Sequence, residues 1–315
     1  MNFEERMEQE TAQIEEILKR FLPAGEGYAK TVEEAVNYSV LAGGKRLRPM
    51  LMRECFRLFG GEGELVEPFM AAIEFIHTYS LVHDDLPCMD NDEYRRGRKT
   101  THAVYGEGMA VLVGDALLNL AFETAAGALE TAAVMEGGNG EAFPGEGNSL
   151  LLRTAAALRV LAEKAGMKGM IGGQCADTQA EASAPEQVTQ ELLLYIHDKK
   201  TAAMIQSAMM IGGILAGAGK EQVRALERIG GSIGLAFQIQ DDILDLTGSL
   251  EVLGKQTGSD LKNHKVTYVS LNGMERSAGE VRRLSEEALE GLRELTEARN
   301  LFLEELVENL ITRKK

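Results

Sequence analysis

Apolar residues recur along this chain at intervals of three and four, the spacing that lines one face of a helix. The pattern predicts helices over roughly 3–22, 29–41, 46–59, 67–86, 108–132, 149–165, 188–217 and 220–246, with two more between 276 and 312. No run alternates apolar and polar residues, and no Asn-Gly pair sits in a strand context, so no sheet is expected. The segment 201–219, TAAMIQSAMMIGGILAGAG, approaches the length of a membrane span. Gln206, Ser207 and its small residues dilute it, so it reads as a buried helix and no membrane span is expected. Residues 136–148, EGGNGEAFPGEGN, break the periodicity with Gly and Glu. They suit a surface loop or a domain boundary.

Composition agrees with helix. Aromatic residues make up only 5%, Trp is absent, and 44% hydrophobic residues supply ample core for 315 positions. A net charge of −16 argues against nucleic acid or an anionic membrane as partner. Any anion must therefore be held by local cations or by metal. Cys55, Cys88 and Cys175 form no CxxC or zinc spacing, which fits a reducing cytoplasm. The acidic start MNFEERMEQE resembles neither a signal nor a transit peptide.

Two aspartate clusters interrupt otherwise apolar helical runs: Asp84, Asp85 and Asp90 in DDLPCMD, and Asp241, Asp242 and Asp245 in DDILD. Six crowded carboxylates need counter-charge, and Mg2+ suits them because it takes oxygen ligands and keeps positions for phosphate and water. Asp241 and Asp245 stand at i and i+4, on one helix face. Pro87 should end the first helix and let Asp90 swing back toward Asp84. Two acidic walls facing one cavity would hold metals, and the metals a diphosphate. A shared cavity favours one domain over 1–315, with 136–148 as a surface loop. The expectation is an all-α, large helical bundle around a central active-site cavity.

Basic clusters accompany the walls: Lys45, Arg46 and Arg48 in GGKRLRP, then Arg95, Arg96, Arg98 and Lys99, then Lys199-Lys200-Thr201. Lys255, Lys262 and Lys265 follow the second wall. Arginine forks and lysine point charges suit direct phosphate contact, so two anionic groups are expected, one held through metal and one directly.

The segments GGKRLRP, HDDLPCMDNDEYRRGRKTTH, FQIQDDILD and GKQTGSDLKNHKVTY resemble the trans-isoprenyl diphosphate synthases. The resemblance runs from about Tyr28 to about Gly273, in the family's order and spacing. With Tyr79 ahead of DDxxxxD, it is closest in kind to bacterial farnesyl diphosphate synthases. It implies the isoprenoid synthase fold, usually a homodimer, with several Mg2+ ions per active site on the six aspartates. It also implies isopentenyl diphosphate held by Lys45, Arg48, His77 and Arg96, and an allylic partner (dimethylallyl or geranyl diphosphate) held with Arg95 and Lys200. Thr201 and Gln238 would present oxygen dipoles to the allylic cation, and Lys255 and Lys265 would close over the diphosphate. Tyr79, with Ser80 beside it, would be the floor that stops the product at fifteen carbons. The leaving diphosphate takes the proton in this family, so no side-chain base is named.

Some residues carry weaker signals. His77 lies two helical turns before Asp84, and alone would read as a core histidine. Residues 166–177, GMKGMIGGQCAD, resemble a family segment whose glycines allow close helix approach and whose Asp177 orients a neighbouring cation. GGSIG at 230–234 matches the hydrolase nucleophile pattern, but it lies inside a helical run and reads as packing. The alternatives to a farnesyl synthase are a geranylgeranyl or longer-chain synthase, a non-catalytic subunit of a hetero-oligomeric synthase, and a terpene cyclase. Intact aspartates argue against the second. The sites for a second diphosphate argue against the third.

Overall fold

The computed structural model describes residues 2–137, 149–247 and 266–312. Lys255, Lys265 and residues 138–148 lie outside the described residues. The described residues are mostly helical, and the chain groups into two compact units: Met1–Arg53 with Glu62–Leu158, and Glu54–Gly61 with Arg159–Lys315.

In the first unit, α1 (Phe3–Arg20) starts at a reciprocal capping box between Asn2 and Glu5, which satisfies two helix N-terminal donors. α2 (Lys30–Val40) and the start of α3 (Leu47–Leu58) follow. Then comes α4 (Glu67–Asp84), with Pro at its start, where its missing N–H has no consequence. α4 is buried almost all round, through Phe69, Met70, Ile73, Phe75, Ile76 and Val82. Its main partner is α6 (Glu107–Gly137). Ala110, Val113, Leu117, Ala121, Ala125, Ala128 and Ala132 of α6 are buried at three- and four-residue spacing, and the alanines let the two axes approach closely. Val111 and Leu112 near the start of α6, and Val134 and Met135 near its end, are exposed. By length and composition α6 could cross a membrane. It is α6, rather than 201–219, that meets that test among the described residues.

Between α4 and α6 lie a short helix α5 (Thr101–Tyr105) and an antiparallel hairpin, β1 (Tyr94–Arg95) and β2 (Arg98–Lys99). The absence of strands expected from the sequence fails here. Four paired residues are too short to show alternation. The signal was in the turn: Arg96 and Gly97 both take positive φ, 53° and 74°, as a two-residue hairpin loop requires.

The second unit is built on α10 (Ala203–Ala216) and α11 (Lys220–Thr247). α10 is the apolar stretch noted above, and Met204, Ala208, Met209, Ile211 and Leu215 are all buried. Each methionine, isoleucine and leucine among them contributes ~1.5–3 kcal/mol by leaving water. Gly217, at φ 89°, ends α10 in the left-handed cap glycine favours. The end of α7 (Leu150–Ala165), α8 (Met170–Glu181), α9 (Gln190–Ile196), α12 (Tyr268–Asn272), α13 (Met274–Glu294) and α14 (Leu301–Thr312) complete it. The helix expected over 188–217 runs without a break from Gln190 to Ala216, but widens to a π-helical turn over His197–Ala202, between α9 and α10. α8 was not expected at all, since its glycines count against helix. They are there for packing: a Cβ at Gly173 would collide with the backbone of Lys200.

Candidate active site

In the first unit the chain turns sharply after α4. The Asp90 backbone N–H donates to the Asp84 carbonyl at 2.8 Å, and Asn91 adopts φ 54° to allow it. This is the return of Asp90 toward Asp84 that Pro87 suggested. Asp85 is buried and accepts from Arg95 Nε at 2.7 Å and Nη2 at 2.6 Å, both through Oδ1. Burial pushes the Asp85 carboxyl above the usual range, with Arg95 opposing.

The basic cluster of this unit is assembled by the GGKRLRP loop, α4 and the hairpin. Arg46, 1% exposed, takes φ 48° and donates to Glu15 at 2.7 Å, Glu74 at 2.7 Å and the Val40 carbonyl at 2.6 Å. Glu74 is itself only 3% exposed. A buried arginine between two carboxylates is a structural post, and it fixes the loop from which Lys45 and Arg48 project. Arg96 donates to the Gly43 carbonyl. Gly44 takes φ 148°, which favours glycine, and a Cβ there would press on Arg96 Nη1. Arg48 Nε is buried without a hydrogen-bond partner. Burial, then the charge of Arg96, pull the Arg48 pKa below its ordinary value, with Glu74 opposing.

His77 sits among these guanidinium groups. Burial, then Arg48 and Arg96, hold its imidazole well below the ordinary range, so it is neutral at pH 7 and offers an N–H rather than a charge. Tyr79 is buried, meets His83 edge-on with centroids 5.9 Å apart, and has its phenol pushed up to about 12 by burial and Asp84. Ser80 bonds the His77 carbonyl at 2.9 Å.

In the second unit, α11 carries Gln238, Asp241, Asp242 and Asp245. Thr201 in the π turn donates to Gln238 Oε1 at 2.9 Å, and Lys200 donates to Asp177 Oδ2 at 2.5 Å. The residues expected to serve the allylic cation are thus paired, and Asp177 orients a cation as read from its segment. Asp242 is buried and accepts the Tyr268 N–H at 2.8 Å. Asp245 Oδ2 is buried with no partner.

That orphaned oxygen fits a hard cation, since a buried carboxylate without a donor is otherwise costly. Among the described residues, no three His, Cys, Asp or Glu side chains converge on one point. Mg2+ is usually bound through one or two carboxylates plus substrate phosphate. Nothing in the sequence marks Arg46 beyond its place in GGKRLRP, or marks Glu15 and Glu74 at all. Only contact with Arg46 distinguishes them from other helical glutamates.

A profile of the polyprenyl synthetase family matches residues 29–306. Geranylgeranyl pyrophosphate synthase 3, chloroplastic, from Arabidopsis thaliana is 44% identical over 264 residues, 83% of this chain and 69% of the relative. An FPP/GFPP synthase from Zymomonas mobilis, solved without ligand, superposes with a TM-score of 0.80 at 30% identity, covering 99% of both chains. A Helicobacter pylori geranyltransferase, solved with magnesium and isoprenyl diphosphate, gives 0.78 at 32% identity, covering 99% of this chain and 97% of that one. The chain belongs to the polyprenyl synthetase family, whose members are trans-prenyltransferases with the all-α isoprenoid synthase fold. The family depends on magnesium in general.

Proposed function

We propose that this enzyme condenses isopentenyl diphosphate with dimethylallyl and geranyl diphosphates to give farnesyl diphosphate. Asp84, Asp90, Asp241 and Asp245 would hold Mg2+. Asp85 and Asp242, each with one oxygen bonded within the protein, would complete that set of six ligands. Bound Mg2+ supplies stabilisation of the charge that develops on the departing diphosphate. Lys45, Arg48, Arg96 and neutral His77 bind isopentenyl diphosphate directly. Arg95 and Lys200 serve the allylic diphosphate, and the Thr201–Gln238 pair turns oxygen toward the allylic cation. Positioning both substrates makes the bond-forming step effectively unimolecular.

The observation that carries the farnesyl reading is Tyr79, a buried ring five residues before Asp84. A second reading, a geranylgeranyl product, is favoured by the 44% identity to a plant geranylgeranyl pyrophosphate synthase. Product chromatography from labelled isopentenyl diphosphate with dimethylallyl diphosphate separates them. Wild type should stop at fifteen carbons and Tyr79→Ala should run to twenty or more. A wild type that already makes twenty carbons supports the second reading and removes Tyr79 as the floor. Turnover by this chain alone also excludes a non-catalytic subunit.

The same proposal includes a homodimer in the cytoplasm. Val111 and Leu112, adjacent exposed apolar residues near the start of α6, are among those a second copy would cover. Light scattering at micromolar concentration tests it, and a monomer there would overturn it.

A further inference from the structure

Lys200 and Thr201 stand on the π turn His197–Ala202. A turn that holds an extra residue is strained relative to α-helix and needs local support. A line of polar side chains runs beneath it. Lys164 of α7, with its side chain 15% exposed, donates to Glu227 Oε1 at 2.6 Å and to Gln206 Oε1 at 2.5 Å. Gln206 of α10, itself buried, donates through Nε2 to Asp198 Oδ1 at 3.2 Å. Asp198 is the second residue of the turn, and its Oδ2 meets Lys199 Nζ at 2.7 Å.

The Gln206–Asp198 bond depends on the turn. In a straight α-helix, residues eight apart lie about 12 Å apart along the axis and about 80° apart around it. A turn that holds more residues per revolution rotates them toward one face. α11 makes room for Gln206 with the GGSIG glycines. A Cβ at Gly230 would lie 2.8 Å from Gln206 Cα, and one at Gly231 3.0 Å from its Nε2. In the motif that imitates a nucleophile elbow, Gly230 and Gly231 therefore pack on Gln206, and Gly234 packs on Ala202 at the end of the turn.

We infer that Gln206, braced by Lys164, is a positioning residue: it holds the π turn open and so sets Lys200 and Thr201 for the allylic side of the reaction. The inference rests on the roles proposed above for those two residues. Gln206→Leu should lower kcat by about 10–100-fold, with the KM for isopentenyl diphosphate within about twofold of wild type. Lys164→Met should act in the same direction. Asp198→Asn should be near normal, because its amide oxygen still accepts from Gln206. Gln206→Glu should fail, because two carboxylates then meet.

Combining Asp198→Asn with Gln206→Glu reverses the direction of the bond and should restore kcat to within about fivefold of wild type. Loss of packing alone cannot produce that rescue. The inference is overturned if Gln206→Leu folds with unchanged kcat, or if the double variant is no better than Gln206→Glu alone. Lys200→Ala, measured alongside, separates the two failures. Near-normal turnover there would sink the roles given to Lys200, whereas a large loss there with no loss in Gln206→Leu would sink only the inference about Gln206.

Discussion

The two aspartate walls are made in opposite ways. The first exists because a helix stops: α4 ends at Asp84, and the backbone folds back so that Asp90 bonds the Asp84 carbonyl. Its middle carboxylate is then held by an arginine from the hairpin. The second exists because a helix continues. α11 runs to Thr247, and its four-residue spacing alone puts Asp241 and Asp245 on one face. A wall built from loop, hairpin and helix end depends on distant partners, while a wall on one helix needs few. The basic cluster of the first unit shares that dependence, hanging on Arg46 between α1 and α4.

The largest expected effect ignores the difference. Asp84→Ala and Asp241→Ala should each cut turnover by about 10²–10³ or more, with helical circular dichroism unchanged. If only one of them matters at saturating Mg2+, the walls are not equivalent in chemistry.

Stability should then separate the units. Arg46→Met strands Glu74 and Glu15 and should cost about 3–5 kcal/mol in denaturant unfolding, the usual result of breaking a buried ion pair. Asp242→Asn keeps an oxygen for the Tyr268 N–H and should cost about 1 kcal/mol or less. Equal losses would abolish the contrast.

A smaller effect concerns the substrate. Arg48→Ala should raise the KM for isopentenyl diphosphate by about 10–100-fold, the loss of one charge-assisted contact, and leave the allylic KM nearly unchanged. An equal rise in both would show that the basic cluster does not discriminate between them.

The smallest effect is on pH dependence. His77 has its folded pKa held below the unfolded value of about 6.5. Above that pH both states are neutral there. As pH falls below it, the unfolded chain takes up a proton that the folded one resists, so stability is lost toward acid, approaching about 1.4 kcal/mol per pH unit. Replacing His77 with Asn should flatten this limb between pH 6.5 and 5.5, and an unchanged slope would mean that His77 is protonated in the fold.

Most helices, both aspartate clusters and the cationic motifs are legible in the amino-acid sequence. Periodicity, helix-ending Pro87 and four-residue spacing are local properties, and each segment carries them whatever surrounds it. Tertiary structure alone decided the rest. Helix α8 forms despite its glycines because Lys200 needs their space. The run 188–217 widens into a π turn where side chains of α10 and α11 bond to it. Arg46, Glu74 and Glu15 matter only because three segments bring them together out of water. Such features depend on which atoms meet across distant parts of the chain, and a buried charge or a wide turn is stable only where those partners are in place.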